Sequence, residues 1–250
     1  MSSPRLSIVI PAFAEARYLA ATLRAVHDFL AARGRLSTTE IIVVTADCAD
    51  DTAAIAGREL RGFAVARLIE PGRKVGKGRD VRAGMLAARG QIVAFMDADL
   101  ATPLHHVGSA IDAINAGYDV VIGRRDLARI HRDRVKALTS RLANSVIQAL
   151  LLPDLHDTQC GFKMFRGAII RELFEPLHTK GWGFDLEVLA RARRSRYRIL
   201  ELSVPDWFDP KRNRGLAGEF QWWARLRTLG ELISITGRIG RQHAPPDAPR

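Results

Sequence analysis

The chain has 250 residues, of which 47% are hydrophobic, and carries a formal net charge of +11 at pH 7. This length allows one large globular domain or two small ones, and the charge indicates an anionic partner: a nucleic acid, a membrane surface or a phosphorylated substrate. Cys48 and Cys160 lie far apart, which excludes a disulfide scaffold and fits a reducing compartment. No apolar run approaches the ~20 residues of a membrane-spanning helix. The run 6–10 is too short for a signal peptide, so we expect a soluble or membrane-surface protein.

Apolar runs alternate with amphipathic segments over the first half of the chain. The apolar runs predict strands over residues 6–10, 40–45, 63–69, 92–96 and 119–123. The segments between them predict helices over residues 18–32, 52–58, 79–88 and 103–116. This alternation indicates an α/β fold with a right-handed, doubly wound, mostly parallel sheet flanked by helices.

The second half of the chain is more basic and less regular. It predicts further elements over residues 135–149 (helix), 163–165 (strand), 186–194 (helix) and 199–204 (strand). Residues 220–239 have the pattern of a basic amphipathic helix, which suits an anionic membrane interface or packing of Trp222 on the domain. We expect one α/β domain over residues 1–209, this helical segment over 210–241 and a disordered tail over 242–250.

The strand over residues 92–96 ends in two carboxylates, Asp97 and Asp99. Open α/β sheets bind ligands at the carboxyl ends of their strands, and side chains at i and i+2 of an extended chain point the same way. Mg²⁺ or Mn²⁺ prefers such oxygen ligands, and diphosphate oxygens can fill its remaining positions. The alternative interpretation is that both aspartates cap the following helix.

A glycine-rich basic loop lies one helix before these aspartates. Glycines let backbone amides approach a phosphate closely, and basic side chains supply charge. The order of residues differs from a Walker P-loop. By itself such a loop fits a solvated turn, but its position favours a phosphate-binding role for Gly72, Arg73, Lys74, Gly76, Lys77 and Gly78.

Other polar residues allow two interpretations each. Asp185 and Glu187 begin a predicted helix, where one of them could act as a general base or both could simply favour the helix dipole. Arg124 and Arg125 could bind a phosphate or form a solvated basic face. The histidines form no His-x-x-x-His pattern or His/Cys cluster, and we expect none of them to bind a metal.

Six segments in chain order carry a family resemblance. The chain resembles a family 2 glycosyltransferase with the GT-A fold, and is most similar to dolichyl-phosphate β-glucosyltransferases and related polyprenyl-phosphate glycosyltransferases. The resemblance runs from Leu6 to Trp207. Any one segment is weak, but their order is specific: 9–15 (VIPAFAE), 74–78 (KVGKG) followed by 81–85 (VRAGM), 95–99 (FMDAD), 122–125 (IGRR), 157–163 (DTQCGFK) and 182–187 (WGFDLE).

The resemblance implies a role for each matched residue, and helices on the acceptor side toward the C-terminus. Residues expected at the nucleotide sugar are Pro11, Phe13, Glu15, Asp47, Lys77 and Asp97, with a metal ion on Asp97 and Asp99. Residues expected at the reacting groups and the acceptor side are Asp99, Gln159, Asp185 and Glu187. Positive charge for the acceptor phosphate is expected from Arg124, Arg125 and Lys163.

Two positions depart from the family pattern. The carboxylate that reads the nucleotide base in the family would fall at Ala46, which puts base recognition in doubt, although Asp47 could substitute. Mannosyl-phosphate synthases often have glutamine two positions after the second metal-binding aspartate, where this chain has Ala101. This second departure favours the glucosyl branch.

The resemblance therefore implies a metal-dependent, inverting transfer of a hexose from a nucleotide sugar to a polyprenyl or dolichyl phosphate. UDP-glucose is the favoured donor, GDP-mannose the other candidate, and Mg²⁺ or Mn²⁺ the cofactor. The protein would act at the cytoplasmic face of a membrane, in an unknown oligomeric state. One alternative is a transferase of the same fold with a soluble acceptor. The other is a non-catalytic nucleic-acid-binding protein, but paired aspartates would repel a nucleic acid unless a metal intervened.

Overall fold

The computed structural model describes residues 4–125, 152–208 and 235. Within these ranges one seven-stranded sheet packs hydrophobic cores on both of its faces. The predicted α/β fold with a mostly parallel sheet is confirmed. The helix predicted over 135–149 and the tail over 242–250 lie outside the described residues, as does the segment over 210–241 except for Ile235.

The strands follow the order β3-β2-β1-β4-β6-β5-β7 across the sheet. Four pairings are parallel, namely β1 with β2, β1 with β4, β2 with β3 and β5 with β7. Strand β6 runs antiparallel to both of its neighbours, β4 and β5. In chain order the strands are β1 (Leu6–Pro11), β2 (Thr39–Val44), β3 (Ala66–Ile69), β4 (Ile92–Met96), β5 (Val120–Arg125), β6 (Phe162–Arg166) and β7 (Ile199–Val204).

Helices connect most of these strands. Short 3₁₀ turns at Leu36–Thr38, Leu60–Gly62 and Gly167–Ile169 precede strands β2 and β3 and helix α5. The α-helices in the described ranges are α1 (Ala16–Ala31), α2 (Thr52–Glu59), α3 (Lys77–Ala87), α4 (His106–Asn115), α5 (Ile170–Phe174) and α6 (Phe184–Arg194).

The sheet separates two hydrophobic cores. Successive side chains of a strand point to opposite faces, so Val9 of β1 lies in one core and Ile8 and Ile10 lie in the other. The Val9 core contains Val81 and Met85 of α3 together with apolar residues of α5 and α6. The other core contains apolar residues of α1 and α4. Burial on both faces explains why the central strands read as continuous apolar runs.

The reversed strand β6 brings a loop to the carboxyl end of β4. The loop over residues 157–161 enters β6 at the end of the sheet where β4 finishes. The Asp97 N–H donates to the Gly161 carbonyl at 2.9 Å. A Cβ on Gly161 would lie 2.1 Å from Asp97 Oδ2, so only glycine allows this approach. The first residue after β4 is therefore enclosed by this loop.

Several element boundaries differ from the sequence prediction. Strand β3 begins at Ala66 rather than at residue 63, because Phe63 follows a 3₁₀ turn and its ring packs edge-on against His27 at 5.5 Å. Helices α3 and α6 each begin two residues earlier than predicted. As a result, Lys77 and Asp185 lie in the first turns of their helices, at the same end of the sheet.

Ile235 is helical and fully buried in the core that contains Val9. At this position, the stretch predicted as a basic amphipathic helix packs on the domain. Among the helices of the described residues, none has both the length and the apolar character that crossing a membrane requires.

Candidate active site

Asp97 and Asp99 directly follow β4 at the centre of the sheet. The chain leaves β1 toward β2 on one side, whereas β4 lies on the other side of β1. The crevice between β1 and β4 is therefore the topological switch point, where open α/β sheets bind ligands. Asp99 Oδ1 accepts the Ala101 N–H at 3.2 Å, and α4 begins only at His106 without a side-chain cap. The interpretation that the two aspartates cap this helix is thereby excluded.

Lys77 forms an ion pair with the first of these aspartates. Its Nζ lies 2.5 Å from Asp97 Oδ1, with side-chain exposures of 16% and 31% for Lys77 and Asp97. The same ammonium lies 4.7 Å from the Trp182 ring centroid and 5.3 Å from that of Phe95. Two aromatic faces therefore stabilise the positive charge beside Asp97.

A second, fully buried ion pair lies beside the first. Lys163 of β6 has its Nζ 2.6 Å from Asp185 Oδ1, donates to the Cys160 carbonyl at 2.8 Å, and lies 5.5 Å from the Phe95 centroid. Burial raises the pKa of Asp185, and the positive charges of Lys163 and Lys77 oppose this shift. Asp185 is thus coupled electrostatically to Lys77 as well as to its direct partner.

Two glycine-containing loops meet above these pairs. The Gly78 N–H donates to the Gly181 carbonyl at 3.2 Å, and the Arg79 N–H donates to the Lys180 carbonyl at 3.3 Å. A Cβ on Gly76 would lie 2.3 Å from the Lys180 carbonyl oxygen, and one on Gly78 would lie 2.4 Å from the Thr179 carbonyl oxygen. The glycines of this basic loop therefore serve close backbone packing, and they hold Lys77 in place.

Four of the residues expected at the nucleotide sugar lie in or after strands β1 and β2, on one side of the crevice. Pro11 ends β1, and the Phe13 ring centroid lies 3.7 Å from Lys74 Nζ. The exposed Asp47 donates its N–H to the Gly72 carbonyl at 3.1 Å. The basic loop is thus anchored to the loops that follow β1 and β2.

Ala46 and Glu15 complete that side of the crevice. Ala46, at the position where the family pattern has a carboxylate, is buried. The Glu15 N–H donates to Thr52 Oγ1 at 2.9 Å, and this hydroxyl donates to Asp50 Oδ1 at 2.6 Å. These contacts join the loop after β1 to the start of α2.

Two residues near the crevice have an unusual backbone conformation. Ala14 in the loop after β1 has φ 56°, and Leu100 in the loop after Asp99 has φ 51°. Left-handed conformations are uncommon for residues with a Cβ, cost of order 1–3 kcal/mol, and concentrate at functional sites. Both loops that border the switch point are therefore strained.

A comparison with protein families agrees with this geometry. The sequence model described as "Glycosyl transferase family 2" matches residues 7–174, which include β1, the basic loop, Asp97 and Asp99. The chain belongs to glycosyl transferase family 2. The matched range contains the strand, loop and helix that carry Lys77, Asp97 and Asp99.

Curated relatives of this family 2 protein include dolichyl-phosphate β-glucosyltransferases. The glycosyltransferase AglD of Haloferax volcanii is 32% identical over 209 residues, which are 82% of this chain and 33% of that protein. The dolichyl-phosphate β-glucosyltransferase ALG5D of Trichomonas vaginalis is 31% identical over 214 residues, which are 81% of this chain and 65% of that protein. The chain thus spans from one third to about two thirds of the length of these relatives.

A solved structure shares the fold. Glucosyl-3-phosphoglycerate synthase of Mycobacterium tuberculosis superposes with a TM-score of 0.67 and 21% identity, over 98% of this chain and 82% of that one. The same synthase has been solved in complex with Mn²⁺, UDP-glucose and phosphoglyceric acid. At this identity the likeness concerns the GT-A fold alone.

The two arginines expected at the acceptor phosphate, Arg124 and Arg125, differ in exposure and in their partners. Arg125 is bound by both oxygens of the buried Asp157, at 2.6 and 2.8 Å, and lies 5.3 Å from the Trp207 centroid. Arg124 and Gln159 are exposed. The sequence assigned no role to Asp157, because its partner Arg125 lies 32 residues away in the chain. The available signal was the position of Asp157 in segment 157–163 of the family resemblance.

Glu187 is bound to the loop that precedes α6 and to Arg191 of the same helix. Its carboxylate accepts hydrogen bonds from the His178 and Thr179 N–H groups, the Thr179 hydroxyl and Arg191. Burial by itself would raise the pKa of Glu187, but these hydrogen bonds hold it below its usual value. Glu187 thus organises the loop that precedes α6, whereas Asp185 in the same turn lies with Lys163.

A divalent cation fits the crevice. Asp97 and Asp99 would hold it, because carboxylates are the hard oxygen ligands that Mg²⁺ and Mn²⁺ prefer. The Lys77 ammonium beside Asp97 shows that this position favours positive charge.

We predict that Asp185→Asn lowers the free energy of unfolding by about 3–5 kcal/mol, because it leaves the buried Lys163 ammonium without a counter-charge. Urea denaturation of the purified protein measures this difference. The matched control is Glu175→Gln, which breaks a pair with Arg171 that is exposed on both sides. Its expected effect is at most about 1 kcal/mol. Equal stability of the two variants would contradict the prediction.

Proposed function

We propose that this chain transfers a hexose, with glucose favoured, from a nucleotide sugar to the phosphate of a polyprenyl lipid. The observation that carries the proposal is the pair Asp97 and Asp99 at the switch point, with the Lys77 ammonium beside them. Family membership supports a glycosyltransferase, and the names of the relatives support a dolichyl-phosphate acceptor. The site geometry and the family membership together support the residue roles that we propose.

The donor occupies the β1 and β2 side of the crevice. Pro11, Phe13 and Glu15 border the base and ribose. Asp47, the residue after Ala46, recognises the nucleotide base in place of the carboxylate that the family pattern has at position 46. UDP-glucose is the favoured donor, with GDP-mannose as the alternative; the UDP-glucose complex of the solved synthase supports the first.

The diphosphate binds where positive charge meets the aspartates. Asp97 and Asp99 would hold a Mg²⁺ or Mn²⁺ ion, which would supply charge stabilisation to the departing nucleoside diphosphate. Lys77 moves from Asp97 toward the diphosphate, over the aromatic faces of Trp182 and Phe95 that line its path.

The reaction is a single displacement with inversion. An oxygen of the acceptor phosphate forms a bond to the anomeric carbon while the bond from that carbon to the nucleoside diphosphate breaks. A phosphate monoester is largely dianionic at pH 7, since its second pKa is about 6, so no strong general base is needed. Asp185, paired with Lys163, therefore acts as a positioning residue for the charged centre.

The acceptor phosphate lies on the β5 and β6 side. Arg124 and Gln159 are exposed there and contact it directly. Arg125 and Lys163 are held by their ion pairs with Asp157 and Asp185, so they orient this side and add little net charge. Glu187 supports this side by fixing the loop before α6.

An apolar lip, Val75 and Trp182, meets the lipid chain. These are two of the three large hydrophobic side chains that are exposed in residues 4–125, 152–208 and 235, at 44% and 58%. The loops that carry them are joined by backbone hydrogen bonds beside Lys77. The Trp182 ring lies 4.7 Å from the Lys77 ammonium, at the entrance to the crevice. Exposed apolar groups at the mouth suit the first isoprene units and support action at a membrane surface, for which we favour the cytoplasmic face.

A transfer assay tests the reaction. We expect a metal-dependent, β-linked glycolipid from UDP-glucose and a polyprenyl phosphate in detergent. Asp99→Asn lowers kcat/KM by about 10²–10³-fold, because the departing diphosphate loses its charge stabilisation. Asp112→Asn, which changes an exposed aspartate of α4, leaves kcat/KM unchanged.

Four outcomes would change or replace the proposal. Product with GDP-mannose but not with UDP-glucose would make GDP-mannose the donor. Product only with a soluble phosphorylated acid would move the acceptor into solution. Full activity of Asp99→Asn would remove the metal from the reaction, and salt-sensitive RNA binding without any transfer would favour the nucleic-acid alternative.

The lip makes a separate prediction about chain length. Trp182→Ala lowers kcat/KM about tenfold for a long-chain polyprenyl phosphate, equivalent to about 1.4 kcal/mol of lost apolar contact. For a phosphate with a single isoprene unit it lowers kcat/KM only about threefold, through the lost contact of the Trp182 ring with Lys77. Phe208→Ala is the control, because Phe208 is the third large hydrophobic side chain exposed among the described residues. An equal loss with both acceptors would contradict a role of Trp182 in binding the lipid chain.

A further inference from the structure

Two neighbouring imidazoles and one carboxylate converge at the edge of the sheet. His105 Nε2 lies 3.2 Å from Asp206 Oδ2, and His106 Nε2 lies 2.6 Å from Asp206 Oδ1. One ligand atom from each residue lies within 4.8 Å of the other two, the only such group of at least three in the part of the chain that the structure describes. The sequence predicted no histidine ligand, because the spacing criterion tests positions close in the chain, and Asp206 is 100 residues away from His106.

The fold brings the three residues together. His105 immediately precedes α4, His106 is its first residue, and Asp206 follows β7 by two positions. The two imidazole rings are tilted toward each other, with centroids 4.2 Å apart. His106 is mostly enclosed, at 10% side-chain exposure, whereas His105 and Asp206 are 61% and 43% exposed. The group therefore has one fixed ligand and two that can adjust.

We infer that His105, His106 and Asp206 form a binding site for a transition-metal ion such as Zn²⁺. Two imidazole nitrogens and a carboxylate oxygen are a common protein ligand set for Zn²⁺, with a fourth position left for water. A tetrahedral ion with bonds of about 2.0–2.2 Å requires ligand atoms roughly 3.3–3.5 Å apart. The two nitrogen–oxygen separations lie below this value and all three ligand atoms lie within 4.8 Å of one another, so small rotations of the exposed His105 and Asp206 side chains bring the set to tetrahedral spacing.

This site differs in chemistry from the crevice at Asp97 and Asp99. The aspartates offer only oxygen ligands, which suit Mg²⁺ and Mn²⁺, whereas imidazole nitrogens select Zn²⁺, Ni²⁺ or Cu²⁺. A large excess of Mg²⁺ therefore occupies the first site and leaves the second available. The inference does not depend on the proposed transferase function.

An ion at this position would fasten the segment after β7 to the start of α4. The Phe208 N–H in that segment donates to the Ala101 carbonyl at 3.2 Å, and Trp207 lies over Arg125. Asp206 is the neighbour of Trp207 in sequence. The ion would thus brace the Arg125 side of the crevice from outside, without entering it.

The test uses the full chain, freed of metal by chelation and held in excess Mg²⁺. Titration with Zn²⁺ is followed by calorimetry, and titration with Co²⁺ by its visible absorption, which reports coordination geometry. We expect the wild type to bind one equivalent of Zn²⁺. In both His105→Ala and Asp206→Asn the affinity for Zn²⁺ should fall at least roughly tenfold. We also expect Zn²⁺ to raise the Tm of the wild type and not that of either variant.

His156→Ala is the matched control. His156 also pairs with a carboxylate, Glu201, at 2.8 Å, but this pair belongs to no group of three metal ligands among the described residues. Its removal leaves Zn²⁺ affinity unchanged. Because His105 is largely exposed, His105→Ala remains decisive even if Asp206→Asn fails to fold. Absence of Zn²⁺ binding, or equal affinity in the wild type and His105→Ala, would overturn the inference and leave a simple pair of hydrogen-bonded imidazoles.

Discussion

The buried ion pair between Lys163 and Asp185 is the contact on which the site depends. It joins β6 to the first turn of α6 and lies against Phe95, the strand residue two positions before Asp97. Removing two charges from water costs several kcal/mol per ion, and their mutual attraction does not always repay it. An apolar contact would hold α6 as well. We infer that the pair is present for its electrostatic coupling to Lys77 and Asp97.

Backbone packing holds the charged groups in register. Gly161 lets the loop before β6 touch Asp97, and Gly76 and Gly78 let the basic loop touch the loop before α6. Each contact leaves no room for a Cβ. Glycine is therefore required at these positions by close packing and not by chain flexibility. The charged side chains are therefore carried by a rigid set of loops, which is what preorganised charge stabilisation requires.

The sequence predicts the strands better than their pairing. Strands β2 and β4 are recognisable because burial on both faces leaves an unbroken apolar run. The antiparallel direction of β6 has no local signal, since it depends on where the chain re-enters the sheet. The same limit applies to side-chain partners. The motifs predicted that Asp97, Lys77 and Asp185 share one site, but not that Arg125 would be neutralised by Asp157 or that His106 would meet Asp206.

The most direct test of the central claim is the dependence of nucleotide binding on a divalent cation. If Asp97 holds both Lys77 and the ion, UDP should bind the wild type at least about tenfold tighter with Mn²⁺ than with chelator, a difference of about 1.4 kcal/mol. In Asp97→Asn that difference should vanish, while binding in chelator should not weaken, because Lys77 is released toward the diphosphate. Calorimetry measures all four affinities. Equal enhancement by Mn²⁺ in the wild type and in Asp97→Asn would contradict the account.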